Sequence, residues 1–150
     1  MLEKSLTIQG KYTIILDDGN GRMGLNYDLG FTERDYIENI RRLVQVAKLM
    51  NDAGLITLVS CISPFQKERE MAWEIIGNDS FIEVYISTPL DTCIERDVKG
   101  LHQKAKKGEI PNFTGISSPY EIPEHSELTI DTSTCTVEEA VEQIMQTLSS

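Results

Sequence analysis

The 150 residues predict an α/β fold, a parallel sheet covered by helices on both faces. Three observations lead there. Short apolar runs without polar alternation, such as Leu55 to Ser60, recur along the chain, as expected of strands buried on both sides. Between them lie longer segments whose apolar residues repeat every three or four positions, the spacing of an amphipathic helix. The two kinds of segment alternate from end to end, the order of parallel strands joined by helical crossovers. No linker, repeat or low-complexity tract interrupts the alternation, so one domain over 1–150 is expected.

Leu2, Leu6 and Ile8 lie at near-helical spacing and Gly10 follows, which reads as the end of a helix. Tyr12 to Leu16 is a short apolar strand. Thr32, with Asp35 three residues on, is an N-cap, and Ile37, Ile40, Leu43, Val44 and Ala47 carry a long helix as far as Gly54. Leu55 to Ser60 is the second strand. Gln66 to Ile76 returns to helical spacing through Met71, Trp73 and Ile75. Phe81 to Ile86 is a third strand, and Pro89 to Arg96 is a helix with proline in its first turn. Leu128 to Asp131 is a fourth strand. Thr136 and Glu139 form a capping box for a last helix through Val137, Val141, Ile144, Met145 and Leu148.

Apolar residues make up 40% and charged residues 25% of the chain, which fits a globular protein rather than a disordered one. The formal charge of -10 argues against broad contact with nucleic acid, whose phosphates demand a basic face. Cys61, Cys93 and Cys135 have no metal-ligand spacing and form an odd count, which fits a reducing cytoplasm. Met1 is followed by Leu2-Glu3-Lys4 with no signal peptide, and no apolar run of about 18 residues marks a membrane span. No metal site is expected of the protein side chains alone.

The stretch from Asp17 to Phe31 follows the first strand and precedes the long helix, so it lies at the carboxyl end of a strand, where open α/β sheets bind ligands. Its acids, its glycines, Arg22 and Phe31 suit a polar anionic ligand with a flat ring. Taken without context, Arg22 is equally a surface ion pair with Asp17 or Asp28, and Phe31 a loop anchor.

The motif Asp17-Asp18-Gly19-Asn20-Gly21-Arg22-Met23-Gly24-Leu25-Asn26-Tyr27-Asp28-Leu29-Gly30-Phe31 resembles the adenylylsulfate (APS) kinase family. So, in the same order, do Glu38-Asn39-Ile40-Arg41-Arg42, Ile62-Ser63-Pro64, Phe81 to Tyr85, Arg96-Asp97-Val98-Lys99-Gly100-Leu101 and Asn112 to Glu121. Each segment is weak alone, but all fall in register. The resemblance implies a P-loop-kinase type of fold, and a reaction that moves the ATP γ-phosphoryl group to the 3'-hydroxyl of APS, giving PAPS, with Mg²⁺, in sulfate assimilation. It implies that Phe31 and Phe113 sandwich the adenine, that Arg22 and Asn39 hold phosphosulfate and ribose, and that Ile62 and Ser63 offer backbone contacts. Lys99, Leu101, Thr114 and Gly115 complete its APS site. Arg96 would face the nucleotide base, and Asp18 and Lys99 are the catalytic candidates. An APS- or PAPS-binding protein that forms a homodimer or pairs with a kinase chain is the implied assembly.

Four departures qualify that picture. The family's Gly-Asp is Asp18-Gly19 here, so Gly19 stands at the catalytic aspartate position and the acid has moved by one residue. Tyr36 replaces a substrate-contacting arginine. Met23, Gln66 and His102 replace a common histidine, arginine and tyrosine. The phosphate loop Gly-x-x-x-x-Gly-Lys-Ser/Thr, which neutralises and places a triphosphate, does not occur in these residues. The resemblance makes the strand before that loop central, so a closed-up sheet or a partner chain is expected in its place. Two readings follow: an enzyme whose phosphate loop lies upstream, or a degenerate APS- or PAPS-binding module with transfer lost or strongly impaired.

Overall fold

The computed structural model describes residues 1–97 and 99–149, in two units, Met1–Phe81 and Ile82–Ser150. In the first, α1 (Leu2–Ile8) buries Leu6 and ends before Gly10, which takes a positive φ of 76° open to it because it lacks a Cβ. The chain then runs through β1 (Thr13–Asp17), α2 (Asp18–Met23), α3 (Glu33–Asp52), β2 (Ile56–Ser60) and α4 (Gln66–Ile76). β1 and β2 are parallel, in register from Thr13 opposite Ile56 to Asp17 opposite Ser60. α3 is the crossover between them and packs on both strands and on α4.

α3 forms where the sequence places it. Thr32 Oγ1 accepts the Asp35 N–H at 3.2 Å, and Asp35 Oδ2 accepts the Thr32 N–H at 3.1 Å, closing the capping box. The helix buries Tyr36, Asn39, Ile40, Leu43, Val44 and Ala47, one stripe at three- and four-residue spacing. Ile40 and Val44 meet Ala72 of α4, with Cys61, Met71, Ile75, Ile76 and Phe81 around them. Each large apolar side chain fully buried there contributes about 1.5–3 kcal/mol.

The second unit runs through β3 (Val84–Ile86), α5 (Leu90–Arg96), α6 (Leu101–Lys106), β4 (Leu128–Ile130) and α7 (Val137–Leu148). β3 and β4 are parallel, Val84 opposite Leu128 and Ile86 opposite Ile130. α7 packs on β4 and starts on the expected box, Thr136 with Glu139. Val98 and Ser150 lie outside the described residues.

The α/β character and parallel pairing are as the sequence predicts. The strands pair two by two, β1 with β2 and β3 with β4, with no ladder of four among the described residues. Ile15, Val59 and Ile86 stay 49%, 41% and 53% exposed, so the apolar runs are not buried on both sides throughout. The third strand begins at Val84 rather than Phe81, because Phe81 is drawn onto the α3–α4 core and the Glu83 N–H is taken by Glu127 Oε2 at 2.6 Å. Pro89 is the residue before α5, not inside its first turn. No described helix is long and apolar enough to cross a membrane.

Candidate substrate-binding site

The first turn of the Asp17–Phe31 stretch is helical rather than open loop. Asp17 ends β1 and caps α2, accepting the Asn20 N–H at 3.4 Å. This fixes Asp18 at the first helical position and Arg22 one turn on, with Asp18 Oδ2 3.6 Å from Arg22 Nε. Asp18 Oδ1 also accepts from Asn39 Nδ2 at 2.8 Å, and Asn39 Oδ1 accepts from Asn26 Nδ2 at 2.7 Å. Asp18, Arg22 and Asn39, assigned from sequence, are therefore brought together. Asn26 is the member that the sequence reading passed over.

Arg22 does not pair with Asp17 or Asp28, as a bare sequence reading allows. Its NH1 donates to the Gly30 carbonyl at 2.9 Å, which folds the stretch back on α2. Its guanidinium carbon lies 4.6 Å from the Phe31 ring centroid and 5.6 Å from that of Tyr36. NH2 is buried with no hydrogen-bond partner among the described groups. Phe31 stays 44% exposed, a face open to a ligand. Tyr36 stands edge-on between Phe31 and Phe65, at 6.5 and 6.4 Å, and builds aromatic wall there.

Asp28 belongs instead to Arg42. Arg42 NH1 and NH2 donate to the two Asp28 carboxylate oxygens at 2.6 and 2.9 Å, NH1 also to the Leu25 carbonyl at 3.0 Å, and Nε to Glu38 at 2.8 Å. Arg41 and Arg42 together hold the Glu38 carboxyl down at about 2, and Arg42 holds Asp28 below the usual carboxylate range. A shallow cleft lined by Leu29, Arg34, Ile37 and Arg42 opens beside this strap, but none of the sequence-assigned residues line it.

Ile62 and Ser63 leave the carboxyl end of β2. Ile62 is 47% exposed. Ser63 takes a φ of 37°, a strained value for a residue with a Cβ, and its carbonyl accepts Arg69 NH1 at 2.7 Å. Beside Arg69, Glu68 is wholly buried; its Oε2 accepts the Phe65 N–H at 3.3 Å and its Oε1 has no partner. Burial pushes this carboxyl up to about 7 against the pull of the Phe65 N–H, Arg69 and Lys67. Burial also pushes the Cys61 thiol up to about 11, the nearby Asp18 and Glu68 charges adding to it, so it packs as a small apolar group.

In the second unit, Arg96 closes α5 and is tied down, NH1 to Thr132 Oγ1 at 2.8 Å and NH2 to the Thr132 carbonyl at 3.0 Å. Lys99 and Leu101 are exposed on the segment leading into α6. That segment holds a short helix, which the lysine run concealed. Asp97 anchors it, accepting the His102 and Gln103 N–H groups at 3.1 Å each, with His102 Nδ1 3.2 Å away. Burial raises the Asp97 carboxyl, but these donors outweigh it and the net shift is downward. The His102 ring meets Phe113 edge-on at 5.1 Å. The Phe113 N–H donates to Ser117 Oγ at 2.9 Å and Thr114 Oγ1 is buried without a partner. Gly115 turns at a φ of 83° with Leu90 so close that an added Cβ would sit 3.0 Å from its Cδ1.

Among the described residues no three His, Cys, Asp or Glu side chains cluster as a metal cradle.

The chain is an α/β domain whose polar, ring-bearing loop lies at the carboxyl end of parallel strands, where open α/β sheets bind ligands. Comparison with known proteins gives the family. The adenylylsulphate kinase family model matches residues 1–131, and the chain belongs to that family. An adenylyl-sulfate kinase of Bacteroides thetaiotaomicron is 53% identical over 145 residues, 97% of this chain and 72% of that protein. The bifunctional enzyme NodQ of Rhizobium meliloti is 60% identical over 131 residues, 87% of this chain but only 20% of its own length. The solved Mycobacterium tuberculosis APS kinase CysC, in complex with AMPPNP and APS, superposes with a TM-score of 0.95 at 41% identity, covering 99% of this chain and 87% of that one.

Proposed function

We propose that this chain carries the adenylylsulfate side of the family's phosphotransferase site and binds APS or its 3'-phosphorylated product PAPS. Arg22 carries the reading. A planar cation lies against the Phe31 face with one buried N–H group free, beside Asn39, which suits an anion joined to a ring. In this reading Ile62, Ser63, Lys99, Leu101, Phe113, Thr114 and Gly115 complete the substrate contacts, and Arg96 faces ATP. Asp18, one residue from the family's acid, is the group nearest to base duty, with Lys99 toward the transferring phosphate. A cytoplasmic homodimer belongs to the same proposal.

A second reading is a degenerate module that senses APS or PAPS, or pairs with a kinase chain. Gly19 and Tyr36 favour it. A Cβ at position 19 would lie 3.0 Å from Asp17 Oδ2, so an acid restored there requires the carboxylate that caps α2 to give by a few tenths of an ångström, and Tyr36 supplies aromatic wall in place of charge.

Calorimetric titration tests the binding. APS is expected to bind more tightly than ATP, and Arg22→Ala and Phe113→Ala each to weaken it. Loss of a charge-assisted contact, about 1.5–3 kcal/mol, corresponds to roughly ten- to a hundredfold for Arg22→Ala. With ATP and Mg²⁺ the 150 residues are expected to form PAPS no faster than a blank. Equal binding of ATP and APS, or no effect of Phe113→Ala, would rule the reading out; turnover abolished by Lys99→Ala would restore the enzyme.

A further inference from the structure

Asn26 is wholly buried, yet no ligand contact is assigned to it. Its N–H donates to the Gly21 carbonyl at 2.8 Å and its carbonyl accepts the Leu29 N–H at 3.1 Å, so its backbone is anchored on both sides. Its side chain has one bond, Nδ2 to Asn39 Oδ1 at 2.7 Å. Asn39, 1% exposed, passes its own Nδ2 to Asp18 Oδ1 at 2.8 Å.

An asparagine amide is two-ended. A half-turn exchanges its acceptor and its donor with little change of shape, so only its neighbours decide which end faces which way. Here Asp18 demands one orientation, and Asn26, whose own Oδ1 is buried with no hydrogen-bond partner, meets it with its amino group. Asn26 presents a donor on the inner side and the Asp18 carboxylate presents only acceptors on the outer side. We propose that Asn26 is a positioning residue that supports the polarity Asp18 imposes on the Asn39 amide: its amino group supplies the donor that the Asn39 carbonyl needs when the Asn39 amino group faces Asp18 and the substrate side. The inference rests on the reading of Asn39 as substrate-facing, and Asn26 acts through it.

The relay makes a particular form of coupling. Asn26→Asp puts acceptors on both sides of Asn39, so neither orientation of the amide avoids an oxygen facing an oxygen. Asp18→Asn removes that conflict, since an amide at position 18 can donate to a turned Asn39. A role for Asn26 in filling space alone predicts no such repair.

The test is a double-mutant cycle of Asn26→Asp and Asp18→Asn at pH 8, where the introduced carboxylate is ionised, read as urea midpoint without ligand and as APS affinity. N26D is expected to lower the midpoint and weaken APS at least tenfold. D18N added to N26D is expected to recover at least half of the lost midpoint. If N26D does not fold, a folded double variant supports the relay and an unfolded one counts against it. Additive midpoints overturn the inference whatever APS does. Recovered midpoints with no APS binding by wild type leave the relay standing and remove the substrate reading.

Discussion

Between pH 4.5 and 7 the carboxyl of Glu68 separates the folded from the unfolded chain. Burial raises it from 4.5 to about 7, so the folded protein keeps a proton that the unfolded chain has released. Its contribution to stability is fully present below pH 4.5 and is lost as pH rises through 7. Glu38, held at about 2 by Arg41 and Arg42, works in the other direction and window: its contribution is present above pH 4.5 and lost as pH falls toward 2. Glu68→Gln is expected to flatten the fall of the urea midpoint between pH 4.5 and 7, and an unchanged slope would show that another group titrates there. Neither the burial of Glu68 nor the Asn26 relay is legible in the sequence. Glu68 sits in the charged run Gln66 to Glu70, and Asn26 among turn-forming residues; only packing removes them from water. Arg22, Phe31 and Asn39 were legible because their spacing along the chain reproduces a family motif.

Helices announced themselves where a cap and a long apolar stripe coincide. Thr32 with Asp35 and Thr136 with Glu139 mark the starts of α3 and α7, and the buried stripe of α3 confirms its period. The short helices gave no such signal. α2 contains Gly19 and Gly21, poor helix formers, and depends on the Asp17 cap; α6 is six residues inside a lysine run and depends on Asp97. The α3 cap directly follows the Asp17–Phe31 stretch. Thr32→Ala removes the acceptor for the Asp35 N–H, and a loss of about 1 kcal/mol is expected, as for other N-caps. Chemical denaturation measures it, and a loss below a few tenths would mean that Asp35 sustains the turn alone.

At the scale of the chain, hydrophobic periodicity told which segments are strands but not which strands are neighbours, because pairing is decided by contacts far apart in sequence. The expectation of one sheet came from the alternation of elements and from the family likeness; two parallel pairs are what these residues form.

Two parallel pairs have a consequence for the protein in concentrated solution. A strand paired on one side keeps a row of N–H and C=O groups ready to add another strand, and Val59 of β2, 41% exposed, adds an apolar side chain to that invitation. A net charge of -10 keeps copies apart at low ionic strength, but its reach shrinks to about 8 Å at 0.15 M salt and about 3 Å at 1 M. Self-association is therefore expected to rise with added salt, the reverse of a complex held by ion pairs. Sedimentation velocity from 0.05 to 1 M NaCl checks it, with Val59→Lys expected to abolish the salt-dependent growth of larger species. A species distribution indifferent to salt would show that the strand edges are already shielded, and that this acidic surface is not what holds the chains apart.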